Sequence, residues 1–242
     1  MLGRRLVPEL VGRGHQVRTL SRRGGSGGDA VEALAGNVLT GEGVEAAVEG
    51  VDTVVHAATN ATRRARATEV EGVRNVVEAI GDSGSHLIYV SIVGVDRHRF
   101  PYYKAKWAAE QLVESSRLGW TIQRATQFHD LLDRFLKPPV FPATPNLAFQ
   151  VVDAGEVAAR LADLVESGER GRAEDFGGPD IVPVNELAAT RRRVTDRRVR
   201  LVRVPRVGFM RDFDEGRHHC PGNRSGSITW TDWLRSTQST AR

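Results

Sequence analysis

At 242 residues the chain has room for one doubly wound α/β domain with a small extension, and no run of about 18 apolar residues is available to span a bilayer. With 40% hydrophobic and 26% charged residues it has the composition of an ordinary globular protein, and its lone cysteine, Cys220, excludes an internal disulfide. The formal charge is +4 and the pI near 9.7, but arginine carries nearly all of it, with lysine only at Lys104, Lys106 and Lys137. This is a compositional bias rather than a dedicated basic surface. The densest cluster, Arg191 to Arg200, has no interleaved aromatics to stack on bases, so it reads as a solvated helix face and edge strand and no nucleic-acid partner is expected.

The amino terminus runs from Met1-Leu2-Gly3-Arg4-Arg5 into an amphipathic pattern, without the apolar core and cleavage site of a secretory signal, so a cytoplasmic protein is expected. Leu2, Leu6, Leu10 and Val11 recur at helical spacing and Gly12 with Gly14 stops the run, so the chain opens inside a helix with no strand ahead of it. His15 to Leu20 predicts a short strand, followed by Ser21-Arg22-Arg23 and a glycine-rich loop over 24–28. Val51 to His56 predicts a buried strand, and Glu69 to Ile80 a helix whose inner side carries Val70, Val73, Val76, Val77 and Ile80. His86 to Ser91 predicts a strand, Lys104 to Ser116 a helix and Trp120 to Ala125 a strand, ahead of a proline-rich stretch at Pro138, Pro139, Pro142 and Pro145. This succession predicts the α/β class, with a Rossmann-type doubly wound parallel sheet. Beyond Pro145 the pattern loosens to a helix over 155–167, a Gly177-Gly178-Pro179 turn, a helix from near Val184, a strand around Val199 to Val204 and a polar, frayed tail after Leu234. The expected organisation is a core over residues 1–145 and a small carboxy-terminal lobe over 146–242, forming a single structural unit.

In an open parallel sheet, ligands collect at the carboxyl ends of the strands. Those ends are Ser21-Arg22-Arg23, Asn37-Val38, Ala57-Ala58-Thr59, Ser91-Ile92-Val93-Gly94 and Ala125-Thr126-Gln127-Phe128. The stretches Leu2-Gly3-Arg4-Arg5-Leu6-Val7, Val51 to Thr59, Tyr102 to Glu110 and Trp120 to Phe128, taken in this order and spacing, resemble the atypical short-chain dehydrogenase/reductases of the NmrA-like, NAD(P)H-binding kind. Gly177-Gly178-Pro179 and Ile228-Thr229-Trp230 add to the likeness, which runs from the first helix to the tail. The resemblance implies a core that binds NADP or NAD and a small-molecule substrate. It leaves the reaction open, because some relatives look like reductases and others bind the nucleotide as regulators.

Proteins of this kind usually begin with a short apolar strand and a Gly-x-x-Gly-x-x-Gly turn that brings backbone amides to the pyrophosphate. Here only Gly3 matches, at the last glycine. Either translation was assigned to an internal codon, or the chain is a shortened paralogue with weakened cofactor binding. Without a central strand, two neighbours that should each pair with it about 4.8 Å away are left roughly 10 Å apart, with unpaired backbone groups on both.

The resemblance distributes roles along the strand ends. Arg22 and Arg23, beside Ser21, are positioned to grip the 2′-phosphate of NADP, where an acidic residue would favour NAD; the alternative is that they are merely solvated. Asn37, with Val38, stands where relatives carry an aspartate near the adenine. Ala57-Ala58-Thr59 resembles the small-residue turn that passes close to the ribose, and Thr126-Gln127-Phe128 borders the nicotinamide. Tyr102 and Lys106 have Tyr-x-x-x-Lys spacing, one helical turn apart, so their side chains share a face. In the mechanism this implies, the tyrosine donates a proton to a carbonyl oxygen as hydride arrives, the lysine lowers the tyrosine pKa and holds the ribose, and Ser91 orients the carbonyl. In atypical relatives the tyrosine is often idle while the lysine still touches cofactor.

His129 is a possible acid or base, though a strand-end histidine is more often structural. His218-His219-Cys220 invites a metal, but adjacent histidines rarely point the same way and no second ligand cluster accompanies them, so no metal is expected. The leading expectation is an NADP-preferring oxidoreductase acting on a small carbonyl or quinone-like substrate. The alternatives are a non-catalytic protein that senses the NADPH to NADP ratio and a non-redox isomerase on the same fold.

Overall fold

The computed structural model describes residues 2–59, 67–168 and 170–239. In chain order the elements are α1 (Gly3–Gly12), β1 (Val17–Ser21), β2 (Val31–Ala35), α2 (Val44–Val48), β3 (Thr53–His56) and a π-helical turn (Ala67–Glu71) that runs into α3 (Gly72–Ile80). There follow β4 (His86–Ile92), α4 (Pro101–Ser115), β5 (Gly119–Ala125), β6 (Gln127–Phe128), α5 (His129–Phe135), β7 (Val140–Ala143), β8 (Ala148–Val152) and α6 (Ala154–Ser167). The chain continues through β9 (Gly171–Arg172), β10 (Ile181–Pro183), α7 (Val184–Thr195), β11 (Arg200–Arg203), α8 (Phe209–Asp214) and α9 (Trp230–Ser239). These form two compact units that interleave along the chain: Met1–Ser91 with Pro101–Gln123 and Ala158–Ala173, and Ile92–Phe100 with Arg124–Val157 and Glu174–Arg242.

In the first unit a sheet of order β3-β4-β5-β9 is parallel where β3 meets β4 and β5 meets β9. The apolar run of β4 is buried from His86 through Ser91, as a strand covered on both faces must be. Val73, Val76 and Ile80 of α3 pack with Leu87 and Tyr89 of β4, Ala109 and Val113 of α4 and Ile122 of β5. The other two positions expected on the inner side of that helix, Val70 and Val77, are half-buried.

β1 pairs only with β2, in parallel, and β3 only with β4, among the described residues. The remaining edges of β1 and β3 both line one cleft of about 940 Å³, floored by Leu6, Val7 and Leu10 of α1 and by Val76. The gap that the sequence predicts between these strands is therefore present: the parallel strands fall into two sheets instead of one.

In the second unit β8 runs antiparallel to β10 and parallel to β6, and β7 is parallel to β11. Its core joins Leu132 of α5, Leu136 just after it, Phe149 of β8 and Leu187 of α7 to Trp230, Trp233 and Leu234 of α9. The tail expected to fray after Leu234 is helical through Ser239, because the two indoles anchor α9 and Trp230 Nε1 donates to Leu187 O at 3.0 Å. Nor is the arginine cluster uniformly solvated. Arg191 is 1% exposed and its Nε lies 2.8 Å from Asp133 Oδ1, an inward ion pair that the sequence pattern hides. No helix among the described residues is long and apolar enough to cross a membrane.

Candidate functional site

The first unit holds most of the sequence-predicted residues, several at the carboxyl ends of its strands and Gly3, Tyr102 and Lys106 on helices. After β1, Gly24 N donates to Ser21 O at 3.1 Å and Ser21 Oγ donates to Gly24 O at 2.6 Å, closing a tight turn. Arg22 and Arg23 lie at its tip, exposed, without an ion pair to any described residue. After β2, Gly36 fits where no side chain would: a Cβ there would stand 2.4 Å from Glu42 O. Asn37 then uses its Oδ1 to accept from Leu39 N at 3.1 Å, which leaves its NH2 as a donor. Val38 lines the cleft, and its carbonyl accepts from Asn75 Nδ2 at 2.7 Å, so α3 fixes the Asn37 turn from behind. Gly3 is exposed at the start of α1, where a Cβ would meet nothing within 4 Å, and Ala57 and Ala58 line the cleft after β3.

Tyr102 and Lys106 do share a face of α4, and the structure joins both to a residue the sequence pattern did not single out. Glu69, in the π-helical turn, is fully buried, and its Oε2 lies 3.1 Å from Lys106 Nζ, itself 4% exposed at the side chain. Such turns recur at functional sites, where they re-aim a side chain within a helix. Lys106 also donates to Val90 O at 2.8 Å and rests 4.6 Å above the centre of the Tyr89 ring. Thr59 Oγ1 is 2.6 Å from Glu69 Oε1 and 2.6 Å from the Tyr102 hydroxyl. Thr59, three residues past β3, thus ties the tyrosine to the buried ion pair.

The electrostatics differ from those the resemblance implies. Burial first, and the negative charge of Glu69 second, raise the Tyr102 pKa above the usual tyrosine value, while the Thr59 hydrogen bond acts to lower it. Lys106 faces Glu69 as its counter-ion. Tyr89 is shifted up for the same two reasons. His56, at the end of β3, stacks on Tyr89 with ring centres 5.8 Å apart, and burial followed by the Lys106 charge lowers its pKa to about 4. That direction favours the neutral imidazole, and its buried Nε2 has no hydrogen-bond partner among the described residues. Ser91, last in the buried run of β4, also has an orphaned buried Oγ. A buried polar group left unpaired costs roughly 1–3 kcal/mol, and a bound water or a ligand atom can complete its bonding.

Thr126, Gln127 and Phe128 belong to the second unit. Thr126 Oγ1 accepts from Gly178 N at 3.2 Å, and Gly178 is packed so tightly that a Cβ would fall 1.7 Å from Val151 O. Gln127 and Phe128 form β6, paired with Val151 and Val152. His129 is fully buried with its ring stacked near Trp230 and Trp233, at 5.8 and 5.5 Å, and burial lowers its pKa to about 4. His218 and His219 do point the same way, contrary to the usual divergence of adjacent imidazoles, because the Nε2 of each lies 3.0 Å from Ala148 O.

A family of proteins described as NAD(P)H-binding matches residues 1–166. The chain belongs to this family. No curated protein matches the sequence. Among solved structures, an NADPH-dependent quinone oxidoreductase of Escherichia coli, complexed with NADPH, superposes with TM-score 0.77 at 13% identity, over 98% of this chain and 96% of that one. A short-chain dehydrogenase/reductase superfamily protein of Agrobacterium tumefaciens with bound NAD gives 0.74 at 18%, over 100% and 94%. A nucleoside-diphosphate-sugar epimerase of Staphylococcus aureus gives 0.75 at 16%, over 97% and 96%. At such identities the likeness establishes the Rossmann-type fold of this NAD(P)H-binding protein. The residues present suit a dinucleotide on their own chemistry: guanidinium groups at Arg22 and Arg23 without an ion pair among the described residues, an amide donor at Asn37, and the exposed amino-terminal end of α1 at Gly3 for a phosphate.

Proposed function

We propose that this NAD(P)H-binding protein is an NADP-preferring oxidoreductase for a small carbonyl, alcohol or quinone-like substrate, with Tyr102 as the proton-transferring group. The observation that carries this reading is the Tyr102 hydroxyl, half-buried past the carboxyl end of β3 and linked through Thr59 to the Glu69–Lys106 pair. A solvated surface tyrosine has no need of such an attachment. The orphaned Ser91 hydroxyl supplies a second polar contact for a substrate oxygen. The nucleotide, when bound, supplies or accepts the hydride. Arg22 and Arg23 recognise its 2′-phosphate, Asn37 and Val38 its adenine, Ala57, Ala58 and Thr59 its ribose, and Gly3 the phosphate at the start of α1. In the same reading residues 1–145 hold the nucleotide, Thr126, Gln127 and Phe128 border the nicotinamide, and residues 146–242 recognise the substrate.

Steady NADPH consumption with a panel of quinones and aldehydes, lost in Tyr102→Phe while nucleotide affinity is kept, is the expected result. A Tyr102→Phe protein that turns over as fast as its parent overturns it.

One observation favours a second reading, a sensor of the NADPH to NADP ratio. Lys106 is committed to Glu69 and Val90 O, and the tyrosine pKa is raised. A sensor binds the two nucleotide forms unequally and turns neither over, so the same assay separates the readings.

A further inference from the structure

The direction of a hydrogen-bonded chain is set by which atoms have protons to give. The Thr59 hydroxyl has one proton, and it goes to Glu69 Oε1 at 2.6 Å. Glu69, paired through Oε2 with the Lys106 ammonium, is an acceptor. The 2.6 Å contact between Thr59 and Tyr102 therefore has the tyrosine as donor. The three groups form a one-way wire from Tyr102 O–H to Thr59 Oγ1–H to the Glu69 carboxylate.

We infer that Glu69 is the terminal proton acceptor when an alcohol is oxidised at Tyr102, with Thr59 as the relay between them. The inference rests on the reading of Tyr102 as the group that faces substrate. In the balanced step the substrate hydroxyl gives its proton to Tyr102 Oη while the tyrosine's own proton passes to Thr59 and the Thr59 proton passes to Glu69. The carbon-bound hydrogen leaves as hydride to an oxidised nicotinamide dinucleotide, the C=O bond forms, and Glu69 ends as a carboxylic acid beside the Lys106 ammonium. Tyrosinate never accumulates, which suits a site where burial and a carboxylate disfavour it. Read backwards, the wire delivers a proton to a carbonyl only when Glu69 starts protonated. Among the described residues, the groups that face Glu69 and bear on that balance include Lys106 and Tyr102 of α4, Tyr89 of β4, His56 of β3, and Thr59.

Thr59 is exposed, so substituting it tests the wire without opening the core. Short O–H···O bonds move their protons downfield in proton NMR. The full chain is expected to show a hydroxyl resonance downfield of the amide envelope, absent from Thr59→Val and Tyr102→Phe and present in Thr59→Ser. In alcohol oxidation with NADP, Thr59→Val should lower kcat by about 100-fold at saturating nucleotide, in the range of a lost acid–base group. It should also flatten the acid limb of the kcat–pH profile, and Thr59→Ser should restore both. A wild-type spectrum without the downfield proton overturns the wire. A Thr59→Val enzyme with unchanged kcat and pH profile overturns its role and leaves the oxidoreductase reading standing. A downfield proton in a protein that turns over no alcohol, aldehyde or quinone overturns that reading, and the proposal with it.

Discussion

Glu69 Oε2 and Lys106 Nζ stand 3.1 Å apart, with 0% and 4% of their side chains exposed. The desolvation of two charges in a core is large, and their attraction repays it only while both are present and otherwise hydrogen-bonded. Val90 O and the face of Tyr89 add contacts to the ammonium, and Thr59 and the Tyr89 hydroxyl add contacts to the carboxylate.

Removing one partner should therefore cost more than removing both. Lys106→Met is expected to lower unfolding free energy by about 3–5 kcal/mol, the range for an uncompensated buried charge, and Lys106→Met with Glu69→Gln to recover most of that loss. Urea denaturation of the two single variants and the double variant reads the difference. Additive losses would show that the pair is uncoupled.

The protein should lose stability on mild acidification. Burial lowers the pKa of His56, His86, His98 and His129 to about 4, below the 6.5 expected when unfolded. Below 6.5 the unfolded chain binds protons that the folded state refuses, so the stabilisation is complete above that value and is lost as pH falls toward 4. Asp212 acts in the same sense lower down: its hydrogen bonds from Arg99 take its pKa from 3.8 to about 2, so its contribution declines below 3.8. Urea midpoints at pH 7.5, 6 and 5 should fall in that order. A midpoint that is flat across this span contradicts the buried neutral imidazoles.

The open edges of β1 and β3 have a readout of their own. Backbone amides there that face the cleft should exchange with solvent faster than those of β4, which is buried on both sides. Adding an apolar strand and glycine turn ahead of Leu2 should slow exchange at both edges and raise the urea midpoint, because it supplies backbone partners to each. Exchange left unchanged in both strands would mean that the cleft does not accept a strand.

Nucleotide selectivity should reside after β1. Replacing Arg22 and Arg23 by alanine is expected to weaken NADPH binding by about 10- to 100-fold, the loss of a charge-assisted hydrogen bond, and to leave NADH nearly unchanged. Fluorescence titration with each nucleotide compares the two, and equal losses for both would remove the 2′-phosphate assignment.

Strands and helices with a clear apolar period were legible in the sequence. β3, β4 and β5 are apolar runs of the right length, and α3 presents Val73, Val76 and Ile80 on one side. β2, Val-Glu-Ala-Leu-Ala, carries no strand signal of its own and owes its form to its ladder with β1. α2 and α5 are too short for a period to emerge, and α5 follows directly on β6. In the site, Tyr102 and Lys106 were visible because one helical turn relates them. Glu69 was not: it reaches Lys106 only because a π-helical turn at the head of α3 aims it inward, and no spacing rule connects the two. The same holds for Arg191, whose partner Asp133 lies on another helix.

The central claim is that this chain holds a pyridine dinucleotide at the carboxyl ends of its parallel strands. Calorimetric titration of NADPH and of NADH into the full chain tests it most directly. The account predicts saturable binding of both, tighter for NADPH; heat of dilution alone with either nucleotide would contradict it.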